Sequence, residues 1–236
     1  MLAVDLANGN VAIVHPSIRA PLSIVCFADA LSQAGAVGGV LNVIQGAGTD
    51  AGMALARRPE LKRLDFQGSR QTAQMVALSL ARSSVPMQTA LRSIKTLNLS
   101  KADDLAEAAR NIAEDCFCHS ARPCFGGLQV NLHLEGLKPL TSELRTIFRQ
   151  VRYLPAKRGA HSVAPYLAEK FRLAGEAAVE SYLERGAELV CEAPAPDERT
   201  FRMGWFARAR VLHDVSGAIT LDPDMPNGPL VLVKTY

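Results

Sequence analysis

The residues best equipped for chemistry stand together in Asp115-Cys116-Phe117-Cys118-His119-Ser120-Ala121-Arg122-Pro123-Cys124-Phe125-Gly126-Gly127, which holds three of the chain's five cysteines. A thiolate here can attack an electrophilic carbon, and Arg122 would lower the pKa of Cys124. The alternative for Cys124 is a buried structural thiol, the commoner fate of a cysteine. Cys116, Cys118, His119 and Cys124 are also of the types that hold zinc. Cys-x-Cys-His at a helix end is awkward geometry for one ion, however, and no second cysteine pair stands at zinc-finger spacing, so no metal site is expected. A redox pair between two of these thiols is a further, minor option.

The elements that must position this stretch come in alternating periods. Val11-Ala12-Ile13-Val14 is a β-branched run between the turn Asn8-Gly9-Asn10 and His15-Pro16, and reads as a buried strand. From Pro21 to Ala34 the pattern is helical, with Ile24, Phe27, Ala28 and Leu31 on one face and Gly35 as the stop. Val40 to Ile44 is a second buried strand that runs into Gly46-Ala47-Gly48, with a helix from Ala51 to Arg57. Leu61 to Phe66 is a third strand, closed by Gln67-Gly68-Ser69, and a helix follows to Arg82. Such alternation predicts a parallel, doubly wound α/β sheet with helices on its faces.

Ligands in these sheets sit at the carboxyl ends of strands. Those ends are His15, Gly46-Ala47-Gly48 and Gln67-Gly68-Ser69. His15 either faces a ligand or merely ends its strand. The glycines from Gly46 to Gly52 either cradle a phosphate or allow tight strand-to-helix packing, and packing is favoured. Gly68 and Ser69 are the better candidates for a cofactor, with a plain helix cap as the alternative for Ser69.

After Ser83-Ser84 the texture changes. Thr89 to Leu99 reads as extended. Lys101-Ala102-Asp103-Asp104 caps a helix that spans Leu105 to Cys116, with Ser100 as N-cap. Leu128 to Leu134 alternates as a strand, Leu140 to Tyr153 and Val163 to Arg185 are amphipathic helices, and Glu188 to Cys191 is a strand. A loop at Ala193 to Asp197 precedes two further strands, Gly204 to Leu212 and Leu230 to Lys234.

Composition narrows the function classes. The 236 residues allow a substantial core, and 48% hydrophobic with 21% charged residues is ordinary for a soluble globular protein. The net charge of +3, with no basic run interleaved with aromatics, argues against nucleic acid. Pairs such as Arg57-Arg58 and Lys62-Arg63 read as solvated faces. No apolar run reaches the roughly 18 residues a membrane helix needs, and no signal peptide opens the chain. An odd cysteine count suits a reducing, cytoplasmic setting.

Several strings in this order resemble the aldehyde dehydrogenase superfamily. They are Leu6-Ala7-Asn8-Gly9-Asn10-Val11-Ala12-Ile13-Val14-His15-Pro16-Ser17, Ala20-Pro21-Leu22, Gly39-Val40-Leu41-Asn42-Val43-Ile44-Gln45-Gly46, Asp65-Phe66-Gln67-Gly68-Ser69, Cys124 and Asn227-Gly228-Pro229-Leu230. The resemblance implies oxidation of an aldehyde with NAD or NADP. A cysteine thiolate attacks the carbonyl, a nicotinamide accepts hydride, and a glutamate activates water. It places Cys124 on the nucleophile, and Gly68 and Ser69 at the start of the helix that faces the dinucleotide phosphate. It also implies losses. Thr89 stands opposite the glutamate base and cannot replace it near neutral pH. His15 and Ile18 stand where a lysine and a glutamate hold the adenosine ribose, and Met225 falls near the place of the nicotinamide-ribose glutamate. The oxyanion asparagine has its place before Met1.

The fold expected is α/β and aldehyde dehydrogenase-like. Residues 1–84 form a partial, Rossmann-type dinucleotide-binding domain, and residues 85–236 a partial catalytic-type domain carrying Cys124. The expected site is Cys124 with His15, Gly68 and Ser69 at the cofactor, which is NAD or NADP if any. Two functions stay open: a weakened oxidoreductase acting on a small aldehyde, or a non-catalytic binding or assembly protein. The chain corresponds to about half of a family-standard length, so a second copy or a partner chain is expected over the surface this leaves bare. No nucleic acid and no membrane are expected as partners.

Overall fold

A computed structural model describes residues 2–81, 83–121, 126–153, 161–224 and 228–236, without the side chains of 118–121. The chain divides into two compact units, Met1–Leu91 and Arg92–Tyr236.

The first unit contains two parallel strand pairs. Helix α1 (Leu2–Ala7) leads into β1 (Ala12–Val14), and β1 pairs with β2 (Leu41–Val43), Val14 lying opposite Val43. The crossover between them carries α2 (Leu22–Gln33), which ends ahead of Gly35 at φ +90, a conformation only glycine adopts readily. A π-type turn at Gly48–Gly52 then enters the short helix α3 (Met53–Ala56). In the second pair, β3 (Leu64–Gly68) and β4 (Met87–Leu91) flank helix α4 (Arg70–Leu80).

These pairs are the parallel βαβ units that the alternation predicts, though they form two separate two-stranded sheets. Strand β1 is not the buried strand expected, since Ile13 is 43% exposed. The unit's core is small, built on Ala56, Val76 and Leu80 against Leu64, Phe66 and Met87.

The extended run from Thr89 to Leu99 is two strands rather than one. Its first part belongs to β4, while β5 (Ile94–Leu99) starts the second unit. The units therefore divide after Leu91, beyond the expected 84/85. The third strand also begins at Leu64 rather than Leu61. Just ahead of it Arg63 forms ion pairs with Asp5 at 2.7 Å and Asp65 at 2.8 Å.

The second unit is built on one mixed sheet in the order β5-β6-β11-β10-β9. Its other members are β6 (Gly127–Leu132), β9 (Ala187–Glu192), β10 (Arg210–Asp214) and β11 (Leu230–Thr235). All neighbours are parallel except β9, which runs antiparallel to β10. A small parallel pair, β7 (Arg152–Tyr153) and β8 (Ser162–Val163), stands apart.

Helices α5 (Leu105–Ala121) and α6 (Leu137–Phe148) bury Ile112, Cys116, Leu140, Leu144 and Phe148 in one cluster with Val130, Val211, Val231 and Val233. Helix α7 (Glu169–Glu184) contributes Ala178, Val179 and Tyr182 to a second cluster with Leu212, Leu230 and Leu232. The alternate residues of β10 and β11 thus serve two cores, as a period of two requires. A short helix, α8 (Glu198–Phe201), is capped by Asp197.

Three sequence expectations are corrected here. Asp104, not Ser100, caps α5: its Oδ1 accepts the N–H groups of Ala106 at 2.9 Å and Glu107 at 3.2 Å. Val163 lies in β8 and α7 begins only at Glu169. Pro165 explains the delay, because the residue before a proline is pushed out of the helical region. The strand read from Gly204 begins at Arg210; before it, Trp205 makes a single antiparallel bridge to Tyr166.

Leu232 is fully buried in the central strand β11. Leu232→Ala is expected to cost about 2–5 kcal/mol, read as a lower urea-unfolding midpoint. A second expectation concerns alkaline pH. Burial pushes the Cys191 thiol from 9.0 up to about 11, with Arg145 opposing weakly. Burial likewise pushes the Tyr153 phenol from 10.0 up to about 12. Both groups ionise sooner in the unfolded chain, so stability is complete below pH 9. It falls between pH 9 and 11 through Cys191, and between pH 10 and 12 through Tyr153. Urea midpoints at pH 8 and pH 10 should differ in that sense, and Cys191→Ala should flatten the slope. Equal midpoints at the two pH values would contradict this account.

Candidate functional site

The cysteine-rich stretch is largely a helix. Asp115 to Ala121 continue α5, so Cys116 and Cys118 stand on its last turns. Asp115 is held by Lys95 of β5, whose Nζ donates to Oδ1 at 2.6 Å. Cys116 is 2% exposed and belongs to the core. Phe117 packs its ring against Phe148 at 5.2 Å and His161 at 5.8 Å. Two members of the stretch, Cys116 and Phe117, therefore serve packing.

Cys124 and Arg122 lie outside the described residues, as do the side chains of Cys118 and His119. Among the described residues no group of three His, Cys, Asp or Glu side chains is placed to hold a metal. The downstream flank of Cys124 is tightly fixed. Gly126 donates its N–H to the Ser93 carbonyl at 2.8 Å. A Cβ at Gly126 would fall 2.0 Å from the Pro223 carbonyl oxygen, so no other residue fits without backbone movement. The chain then enters β6, with Gly127 opposite Ile94 of β5. Sequence reading noted Gly126 beside the cysteine but had no signal for Pro223, far away along the chain.

In the first unit, His15 follows β1 and is half-buried. Its Nε2 donates to the Gly46 carbonyl at 3.1 Å, which ties the end of β1 to the end of β2. Its ring also lies against the glycine turn: a Cβ on Gly52 would stand 3.3 Å from Cε1. Gly46 has φ +147, and a Cβ there would meet Ala51 at 2.7 Å. The Gly46 to Gly52 loop thus packs tightly against the histidine and its own helix, in line with the favoured alternative.

Gly68 is the last residue of β3, and Ser69 is the N-cap of α4. The Ser69 Oγ accepts the Thr72 N–H at 3.3 Å and lies 3.0 Å from Thr72 Oγ1. The cap organises the first turn of an eleven-residue helix, whose N-terminus carries a partial positive charge. A Cβ on Gly68 would come within 2.8 Å of the Phe66 ring. His15 and the Gly68-Ser69 pair sit at strand ends as expected, but on separate sheets, and no described hydrogen bond joins them. Ile18 is 54% exposed, and Thr89 lies exposed on β4.

The fit of these residues to a dinucleotide can be judged from their chemistry. A serine-capped helix start with a glycine ahead of it suits a phosphate. Ile18 offers no oxygen for a ribose hydroxyl, and the His15 ring nitrogen facing Gly46 is already engaged. The serine-capped helix start thus has the chemistry that a phosphate takes.

Comparison with known proteins completes the picture. The sequence model of the aldehyde dehydrogenase family matches residues 1–236. A Staphylococcus aureus protein named "Putative aldehyde dehydrogenase" is 25% identical over 100% of this chain and 49% of its own length. The chain thus spans about half the length of the curated relatives it matches. A Burkholderia cenocepacia structure bearing the same name superposes with a TM-score of 0.89 at 24% identity, covering 100% of this chain and 49% of that one. A mutant aldehyde dehydrogenase C from Pseudomonas syringae, solved with NAD+ and octanal, gives a TM-score of 0.87 at 22% identity, over 100% and 48%. These likenesses establish the α/β, aldehyde dehydrogenase-like fold read from the sequence. By its sequence over every residue matched, the chain belongs to the aldehyde dehydrogenase family.

Proposed function

We propose that this chain is an aldehyde dehydrogenase-like protein with a degenerate site, in which NAD(P)-dependent oxidation of a small aldehyde through Cys124 is weak or lost. The observation that carries the reading is the make-up of the cofactor end. Ile18 and an already bonded His15 stand where the family resemblance calls for a glutamate and a lysine. Thr89 in place of the base supports it, since a hydroxyl cannot take a proton from water near neutral pH. The unit Met1–Leu91 acts as the cofactor-type part and Arg92–Tyr236 as the catalytic-type part.

On this reading Gly68 and Ser69 hold a dinucleotide phosphate at the start of α4, through backbone N–H groups and the helix dipole. NAD or NADP would supply the hydride acceptor there. The Cys124 thiolate adds to the aldehyde carbonyl and gives a thiohemiacetal. The later release of an acyl group by water is the step left without its base.

The second reading is a non-catalytic binding or assembly protein, and exposed apolar side chains of the first unit favour it. Leu22 is 73% exposed, Val37 76% and Leu78 76%, areas that a second copy or a partner chain would cover. The setting proposed is cytoplasmic. Among the described residues no helix is long and apolar enough to cross a membrane.

Two measurements test these readings. NADH and NADPH titrated by fluorescence should bind weakly, in the millimolar range. A flat response throughout that range would remove the dehydrogenase reading and leave the assembly protein. Alkylation of Cys124 against pH should show a thiol with a depressed pKa. Ordinary, slow reactivity at neutral pH would end its role as a nucleophile. Cys26 is exposed and would react as well, so the assay is best made on Cys26→Ser protein.

A further inference from the structure

A pocket of about 330 Å³ in the second unit lies among α7, α8 and the approach to β10. Three guanidinium groups line it: Arg172 from α7, Arg208, and Arg210 from β10. Phe201 and Phe206 form apolar walls, and Glu176 is the one carboxylate among the described lining residues. Arg208 and Arg210 are two apart in an extended segment, so their side chains share a side. The side chains of Arg172 and Arg210 are only 14% and 20% exposed, which weakens the screening of their charges by water.

The ion pairs balance in charge, with Glu169, Glu176 and Glu192 facing Arg172, Arg208 and Arg210, but they occupy few of the guanidinium N–H donors. Glu176 accepts from Arg172 Nη1 at 2.6 Å. Glu192 accepts from Arg210 Nε at 2.6 Å on one oxygen and from Arg208 Nη1 on the other. Burial opposes ionisation of Glu192, but the bonds from Arg210 and Arg208 outweigh it and hold the carboxyl below its usual range. Among the described residues, two carboxylates accept hydrogen bonds from these three guanidinium groups, each of which has five N–H donors. Glu169 is 59% exposed and 3.7 Å from Arg172, beyond hydrogen-bond distance. The Arg172 guanidinium also stands over the Phe201 ring, 5.9 Å from its centroid.

We propose that this pocket binds a small organic carboxylate, its oxygens on the arginine forks and its apolar body against Phe201 and Phe206. A planar guanidinium matches a carboxylate through two parallel hydrogen bonds. The volume is near the lower end for small-molecule sites, so the ligand is compact.

Sodium benzoate is the probe, titrated into the intact chain by calorimetry at constant ionic strength. Emission of Trp205, the chain's single tryptophan and the neighbour of Phe206, serves as a second readout. Benzoate should bind saturably. Inorganic phosphate, which lacks the apolar body, should bind roughly tenfold more weakly, and Arg210→Gln should weaken benzoate by roughly tenfold. Arg208→Gln, at the more exposed position, is the second variant in case Arg210→Gln does not fold. No saturable benzoate binding to the unmodified chain would overturn the proposal. So would phosphate binding as tightly as benzoate, or folded variants that bind benzoate undiminished.

Discussion

Backbone pairing along both sides of β11 holds the second unit together. Residues 231–235 pair with β6 on one side, and residues 230–234 with β10 on the other. Leu230, Val231, Leu232 and Val233 are all at most 2% exposed. Both apolar clusters meet on this strand, Val231 and Val233 in one, Leu230 and Leu232 in the other. The helices of the unit pack on the platform that results, and the segment after Cys124 enters the same sheet through β6. Asp214 at the end of β10 is fully buried as well. Burial opposes its charge, yet bonds from Ser216 and Ile219 and the nearby Lys234 of β11 keep the carboxyl below its usual range. The sheet end is thus polar and satisfied rather than frayed.

The first unit is organised differently. Its strands are short, its two sheets have two strands each, and its core is a few side chains. Local devices hold it: the His15 bond to Gly46, the Ser69 cap, and the Arg63 pairs with Asp5 and Asp65. The ion pairs are partly exposed, and such pairs contribute little to stability. Its exposed apolar side chains are why the proposed assembly reading stays beside the catalytic one.

Much of the secondary structure was legible because its signals are local. α2 shows its helical spacing and its glycine stop, although Phe27 of the expected face is 42% exposed, and β11 opens on the apolar run Leu230 to Val233. Sheet order was not legible, since nothing in Ala187–Glu192 announces that it runs antiparallel to its neighbour. β1 was misread as buried because a β-branched run reports what is apolar, not what lies over it. Ser100 and Asp104 are both good cap residues, and only the observed hydrogen bonds decide between them. At the site, the residue types at Cys124, Gly68 and Ser69 could be read directly. The tie from His15 to Gly46 could not, because it depends on the pairing of β1 with β2. The arginine pocket is likewise invisible in sequence, where Arg172 is remote from Arg208 and Arg210.

The central place of β11 also has a consequence for how the molecule comes to be. Its partner β6 is synthesised roughly 100 residues earlier, so the middle of the sheet is a long-range closure, the kind of contact that slows folding. Until residues 230–235 have left the ribosome, β6 and β10 each lack their neighbour and expose unpaired backbone edges. Closure of this sheet therefore waits for β11, and the β6 edge stays open for the roughly 100 residues made in between.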